Sequence, residues 1–185
     1  VYRGPSQVGP ANLLYLEPTG YPSTMVGFPY DDVDGWRGIY PAEVLAGQFE
    51  KVASGWQKGL ATWKETIGGI EGPRERANAH NDLVVAEAAG LHFDSVANQI
   101  RFILARNAVR SGSLPQVEAD AAVATMRTKA LAEMQNAERL FALTRQDPRI
   151  GFEASNHYYY LPLDLVEKVV NCEHILQGLS RRTPD

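Results

Sequence analysis

Residues 84–104, VVAEAAGLHFDSVANQIRFIL, decide the fold because they carry apolar side chains on two sides of one helix. At about 100° per residue, Val84, Leu91 and Phe102 fall nearly opposite a larger apolar arc, and the edges between are polar. That arc comprises Val85, Ala89, Phe93, Val96, Ile100, Ile103 and Leu104. A helix with two apolar faces is packed on both. Residues from about 77 to about 110 are therefore predicted to form the central helix.

A helix is also predicted before this segment, from Pro41 to the pair Gly68 and Gly69. Proline suits a first helical turn and glycine a helix end. One apolar seam steps along it by four and three residues: Leu45, Phe49, Val52, Trp56, Leu60, Trp63 and Ile67. The seam is narrow, so this helix is expected to cover the core from one side.

A third helix is predicted from Ser113 to about Gln146. Ser113 and Gln116 match a capping box, and Asp147 with Pro148 ends the helix. Its apolar line repeats the spacing of the first helix: Ala119, Val123, Met126, Ala130, Met134, Ala137 and Phe141. The alanines in this line permit a close approach to neighbouring helices.

A fourth helix opens at Pro162 and Asp164, and Cys172 on its apolar line is expected to be a small core residue. The rest of that line is Leu165, Val169, Leu176 and Leu179. The predicted fold is all-α, an antiparallel up-down four-helix bundle over residues 41–180, followed by a frayed tail at 181–185.

The first 40 residues differ sharply from the rest in composition. They hold five of the eight tyrosines, six of the 16 glycines and five of the 11 prolines, and no lysine. Such a sequence does not propagate a helix, and its aromatic residues argue against disorder. Residues 1–40 are predicted to be an ordered coil that packs on the bundle along the ridge of Val84, Leu91 and Phe102, with a short strand near 24–28.

Composition excludes several functional classes. Lys and Arg total 18 against 22 Asp and Glu, a net charge of −4, which disfavours electrostatic binding to nucleic acid. The chain has no apolar run of the ~20 residues that span a bilayer. It also lacks a phosphate-binding glycine loop, a nucleophile elbow and the Glu-x-x-His pairs of a di-iron bundle, so neither cofactor nor metal is expected.

The most unusual stretch is the 150–161 loop, which contains Glu153, Asn156, His157 and Tyr158 beside two further tyrosines. Aromatic rings next to carboxylate and amide groups suit a sugar or a similar polyol. In the structural alternative, the tyrosines close one end of the bundle and the polar groups cap the backbone.

A second candidate loop covers residues 27–37. Its candidate contacts are Asp31, Asp32, Trp36 and Arg37. Together with Asp34, the aspartates offer oxygen ligands, but the later Glu and the Gly of an EF-hand are missing, so no metal is assigned. In the structural alternative, one aspartate caps a turn, another pairs with Arg37, and Trp36 packs on the first helix.

Four local strings carry a resemblance to a known group of proteins. They are Tyr30-Asp-Asp-Val-Asp-Gly-Trp-Arg-Gly-Ile-Tyr-Pro41, Gln48-Phe-Glu-Lys51 in the helix that follows, Asn98-Gln-Ile-Arg-Phe102 and Arg149-Ile-Gly-Phe-Glu-Ala-Ser-Asn-His-Tyr-Tyr-Tyr160. From about residue 25 the chain resembles a helical region near the C-terminus of large bacterial proteins similar to glycoside hydrolases. The resemblance implies an upstream catalytic barrel, a start inside a longer parent chain, and a secreted or periplasmic parent. Because the catalytic carboxylates would belong to the barrel, no catalytic residue is assigned here.

The predicted function is an accessory helical domain of a carbohydrate-active protein. Glu153, Asn156, His157 and Tyr158 would contact a glycan from one loop, and Asp31, Asp32, Trp36 and Arg37 from the other. One alternative is a protein-interaction or domain-docking module that uses the ridge around Leu91 and Phe102 and has no ligand of its own. Another is a small enzyme with a perturbed acid or base in a cleft, for which His157 is the candidate.

Overall fold

A computed structural model of the chain describes residues 8–21, 31–151 and 160–181, with Trp36 described by its backbone alone. These ranges contain five helices: α1 (Val33–Trp36), α2 (Ala42–Ile67), α3 (Pro73–Arg110), α4 (Gln116–Thr144) and α5 (Pro162–Ser180). Every regular element in them is a helix, so the predicted all-α class is confirmed for the described part of the chain. The strand predicted near 24–28 and the tail at 182–185 lie outside these ranges.

The long helices begin and end close to the predicted positions because proline and glycine delimit them. Helix α3 starts earlier than predicted, with Pro73 in its first turn after an extended Gly72. None of the helices formed by the described residues has the length and apolarity that a membrane span requires.

The predicted capping box at the start of α4 is wrong. Pro115 precedes the helix and offers no side-chain acceptor, and a proline disfavours helical geometry in the residue before it. The hydroxyl of Ser113 instead lies 2.8 Å from that of Ser111. The Gln116 amide donates to Asp120 at 2.8 Å.

Each long helix packs against the next one along the chain, α2 on α3, α3 on α4 and α4 on α5. Helix α3 contributes to all of the main apolar clusters, because Val96 and Ile100 face α2 while Phe102 meets α4 and α5. Leu91 and Phe102 are only 2% and 0% exposed. The ridge proposed from the sequence as a docking face is therefore core, and that part of the docking alternative is wrong.

Residues 8–21 are not helical, and they cover α3 between its neighbours. Val8 packs in the α2–α3 cluster and Leu14 in the cluster shared by α3, α4 and α5. Side chains of the bundle hold this segment by its backbone: Asn171 accepts from the Leu14 N–H at 2.8 Å and donates to its carbonyl at 2.9 Å. Gln99 donates to the Gly9 carbonyl at 2.7 Å. We call residues 8–21 the N-terminal strap.

A buried ion pair joins α4 to α5. Lys168 Nζ and Glu133 Oε2 are 3.0 Å apart, and neither side chain is exposed. Glu133 also accepts from the Ser95 hydroxyl at 2.7 Å and the Gln99 amide at 3.2 Å, and Lys168 donates to the carbonyl of Asn12 in the strap. These bonds compensate the desolvation of two charges, as burial of an ion pair requires.

Candidate functional site

An open groove of about 780 Å3 lies between α2, α3 and the turn at 149–151. Five aromatic side chains line it: Trp56, Trp63, His92, Phe93 and Tyr160. We call it the aromatic groove. Ligand sites in proteins are typically roughly 300–1,000 Å3 and mostly apolar, with a few polar groups. The groove has the size and chemistry of such a site.

The α2 wall of the groove carries the two tryptophans, seven residues apart and thus on the same side of the helix. Trp56 is 38% exposed. Its indole is nevertheless fixed, because Nε1 donates to the carbonyl of Ala86 at 2.7 Å and the ring meets Phe93 edge-on, with centroids 5.2 Å apart. The indole therefore exposes an aromatic surface, while the contact with Phe93 and one hydrogen bond fix its orientation.

The sequence assigned Trp56 and Val52 to the core seam of this helix, and the structure corrects that assignment. Both side chains are exposed, whereas Ala46 and Ala53 are buried in their place. Gly90 of α3 accounts for the position of Trp56, because the edge of the indole occupies the space that a Cβ on Gly90 would need. The tryptophan is thus at the edge of the helix pair, where it forms a wall of the groove.

One end of the groove is formed by His92 and Tyr160, which hydrogen-bond through Nδ1 and the phenol oxygen. The surrounding protein lowers the pKa of His92 to about 4, because burial disfavours the charged imidazolium. The imidazole is therefore neutral at pH 7. A Cβ on Gly9 would lie 2.7 Å from the Tyr160 hydroxyl, and one on Gly151 would lie 2.8 Å from Cδ2 of the ring. Two glycines thus make room for this phenol.

The rim of the groove is polar. Arg149 donates through Nε to Asp147 Oδ1 at 2.9 Å and through Nη2 to Oδ2 at 2.6 Å. The hydrogen bonds from Arg149 lower the pKa of Asp147 to about 2. Asp82, which also lines the groove, adds a second negative charge near the guanidinium. The positive charge of Arg149 is therefore compensated within the protein.

Four predicted contacts, Glu153, Asn156, His157 and Tyr158, lie in residues 152–159, outside the described part of the chain. The flanking residues Gly151 and Tyr160 both line the aromatic groove.

The contacts predicted from residues 27–37 are largely engaged in structural roles. Asp31 accepts from the Thr19 N–H at 2.8 Å, the Thr19 hydroxyl at 2.6 Å and Arg106 Nη1 at 3.0 Å. Burial alone would raise the pKa of Asp31, but the hydrogen bonds from Thr19 and Arg106 outweigh it, and the pKa is lowered. The Arg106 guanidinium is itself buried, so the pair anchors this loop to α3.

The neighbouring acidic residues also behave as the structural alternative predicted. Asp32 caps α1 by accepting from the Gly35 N–H at 3.0 Å, and Asp34 pairs with Arg37 at 2.6 Å. Asp31 and Asp32 line a separate, smaller pocket of about 290 Å3. The side chain of Trp36 lies outside the described part of the structure.

Sequence reasoning missed the two tryptophans and His92 as site residues. Apolar residues at helical spacing give the same sequence pattern whether the whole line is buried in the core or part of it forms the wall of a groove. The available signal was Gly90 in the middle of the central helix, since an interior glycine costs about 1 kcal/mol relative to Ala and so indicates a close approach.

The charged and titratable side chains described in the groove interact with other groups of the protein. Among its described lining residues, His92 is neutral and bonded to Tyr160, and Arg149 is paired with Asp147. Aromatic faces beside polar groups match the C–H faces and hydroxyls of a sugar.

Comparison of the chain with protein families, with curated proteins and with solved structures gives no match.

Proposed function

We propose that this chain is an accessory helical domain of a carbohydrate-active protein and that it binds a glycan in the aromatic groove. The observation that carries the proposal is the exposed, fixed indole of Trp56, with Trp63 on the same wall and Tyr160 also lining the groove. A rigid aromatic face loses little conformational freedom on binding, so stacking with a sugar ring gives a net gain. A site that bound only an apolar protein surface would not need polar residues at its rim.

We propose that residues 152–159 supply the second part of the site. Support for this comes from Gly151 and Tyr160, the described residues on either side of this stretch, which both line the groove. We assign Glu153, Asn156, His157 and Tyr158 as hydrogen-bonding partners for sugar hydroxyls, a role for which carboxylate, amide and phenol groups are suited. We assign a structural role to Asp31, Asp32 and Arg37, because their side chains bond to other groups of the protein.

The remaining parts of the proposal concern architecture and context. The short connections at 68–72 and 111–115, with packing of each helix on the next, support an antiparallel up-down bundle of α2 to α5. The resemblance of the local strings supports an exported parent chain with an upstream barrel that carries the catalysis. In this arrangement the helical domain holds the polymer while the barrel acts on it.

The test is binding of the full 185-residue chain to a panel of soluble polysaccharides, measured by affinity gel electrophoresis. We expect at least one polysaccharide to retard the chain, and Trp56→Ala to reduce the retardation strongly. Tyr21→Ala is the control, because Tyr21 is an exposed aromatic residue outside the groove. Absence of retardation by every polysaccharide, or equal retardation of the Trp56 variant, overturns the proposal.

A docking module remains the second candidate, and one observation favours it. Tyr40, Val44, Phe49 and Val52 line an apolar hollow of about 420 Å3 on α2. Its position near the start of α2 suits contact with an upstream domain of the same parent chain. Val44→Asp is expected to weaken that contact in trans and to leave polysaccharide binding unchanged, which separates the two candidates.

A further inference from the structure

We infer that the aromatic groove accommodates an extended, neutral glycan with β-type linkages, several rings long, in which alternate rings stack on Trp56 and Trp63. The inference rests on the proposed function and adds to it the class of ligand. It is carried by the spacing of the two tryptophans, by the small side chains between them and by the charge of the rim.

The spacing of the tryptophans matches an extended chain. Residues seven apart on a helix are separated by about 10.5 Å along its axis and face almost the same direction. In an extended β-1,4-linked glucose or mannose chain each ring is turned over relative to the one before, so alternate rings present the same face. The repeat length of such a chain, one disaccharide unit, is close to the axial length of two helical turns. An α-linked glycan that coils would leave this line after one ring.

The floor of the groove leaves room for the ring between the two stacked ones. Val85, Ala86 and Ala89 of α3 form this floor, and none carries a side chain longer than that of valine. Val85 is 46% exposed, so the trough above it is open to solvent. A volume of about 780 Å3 exceeds what a single sugar ring fills. The groove therefore fits a chain that passes along α2 and α3.

The rim selects against anionic sugars. Arg149 is the basic residue among the described lining residues, and Asp147 binds its guanidinium through two hydrogen bonds. Asp82 adds a second negative charge near the guanidinium, so these three side chains carry a net charge of −1, and His92 is neutral at pH 7. A uronate or sulfate group would therefore find no unpaired cation among the described lining residues. Neutral hydroxyl-bearing rings need none.

Isothermal titration calorimetry on the full chain tests the inference with oligosaccharides of defined length. The β-1,4-linked probes are the disaccharides and hexasaccharides of glucose, xylose and mannose. Maltohexaose represents a coiled α-linked chain, and hexagalacturonate an anionic one. We expect at least one β-linked hexasaccharide to bind at least about tenfold more tightly than its disaccharide, maltohexaose and hexagalacturonate, the equivalent of about 1.4 kcal/mol.

Variants locate the bound chain. Trp56→Ala and Trp63→Ala are each expected to weaken hexasaccharide binding about tenfold. Because both indoles also pack within the protein, Val85→Lys provides a variant that obstructs the floor without removing an aromatic ring. Val52→Lys is its control, since Val52 is also 46% exposed but lies outside the groove. We expect Val85→Lys to lose hexasaccharide binding and Val52→Lys to retain it, with both melting temperatures close to that of the parent.

The outcomes separate this inference from the proposed function. If maltohexaose or hexagalacturonate binds as tightly as the β-linked hexasaccharides, the inferred ligand class is wrong while glycan binding stands. The inferred ligand class is also wrong, and glycan binding stands, if the affinity is independent of chain length or if Trp63→Ala and Val85→Lys leave the affinity unchanged. If neither these oligosaccharides nor any polysaccharide of the panel binds, the proposed function itself is overturned.

Discussion

Gly90 of α3 lies against the Cδ1 edge of the Trp56 indole, so that a Cβ on Gly90 would stand 2.9 Å from that atom. The same Cβ would lie 3.2 Å from the amide nitrogen of Gln57. The missing side chain lets the tryptophan approach the α3 backbone and reach the Ala86 carbonyl. The position of the most exposed ring in the groove therefore depends on one glycine of the central helix.

The substitution Gly90→Ala is expected to destabilise the protein slightly and to displace Trp56. Alanine favours a helix by about 1 kcal/mol over glycine, but overpacking costs about 1–3 kcal/mol. Thermal unfolding and tryptophan fluorescence measure the two effects. The control is Gly59→Ala, which meets no atom within 4 Å and should stabilise α2 by up to about 1 kcal/mol. Equal stabilisation by both substitutions would show that Trp56 is not held by this contact.

The buried pair of Glu133 and Lys168 predicts a strongly non-additive double-mutant cycle. Lys168→Met leaves an uncompensated carboxylate in the core and is expected to lower the free energy of unfolding by about 3–5 kcal/mol. The double variant Glu133→Leu with Lys168→Met removes both charges and should lose much less than the sum of the single changes. Urea denaturation measures all three variants. The exposed pair of Arg37 and Asp34 is the control, where Asp34→Ala should cost less than about 1 kcal/mol.

The pair of Asp31 and Arg106 predicts loss of stability without loss of binding. Asp31→Ala would leave the guanidinium of Arg106, only 2% exposed, without its carboxylate. We expect a loss of about 3–5 kcal/mol in the free energy of unfolding. Polysaccharide affinity of the folded fraction should stay the same, because Asp31 does not line the aromatic groove. A selective loss of affinity at unchanged stability would restore Asp31 as a glycan contact.

His92 predicts a pH dependence of stability with a defined sign. Its pKa is about 4 in the folded protein and 6.5 as a free side chain, so between these values the unfolded chain binds more protons. The contribution of His92 to stability is therefore complete above pH 6.5 and is lost as the pH falls towards 4, by at most about 3 kcal/mol.

Urea midpoints between pH 4 and 7 measure this effect, with His92→Gln as the comparison. The glutamine keeps a polar group near Tyr160 but does not titrate, so the slope between pH 4 and 6.5 should flatten. Carboxylates with lowered pKa values, such as Asp31 and Asp147, lose their stabilising effect mainly below this pH window. They are present in both proteins, so they do not account for a difference between the two slopes. Identical slopes would exclude His92 as the source.

Helical periodicity predicted the four long helices, but it could not distinguish a core line from a groove wall. Trp56 illustrates the limit, since its place in the seam is regular and its exposure depends on Gly90 in another helix. Lys168 illustrates a second limit. It falls on the apolar line of α5, between Leu165 and Cys172, and its burial depends on a carboxylate from α4 that no local pattern predicts.

The contacts of the N-terminal strap have a consequence for how the chain folds during synthesis. Residues 12 and 14 bond to Lys168 and Asn171, and for Leu14 and Asn171 the separation along the chain is 157 residues. At ribosomal rates of about 5–20 residues per second, the strap waits on the order of ten seconds after its own synthesis for these partners. Such distant contacts form late, so the helices are expected to assemble first and the strap to dock last. Until then Val8 and Leu14 stay uncovered, and these apolar side chains and the helix surface that they cover are exposed to aggregation.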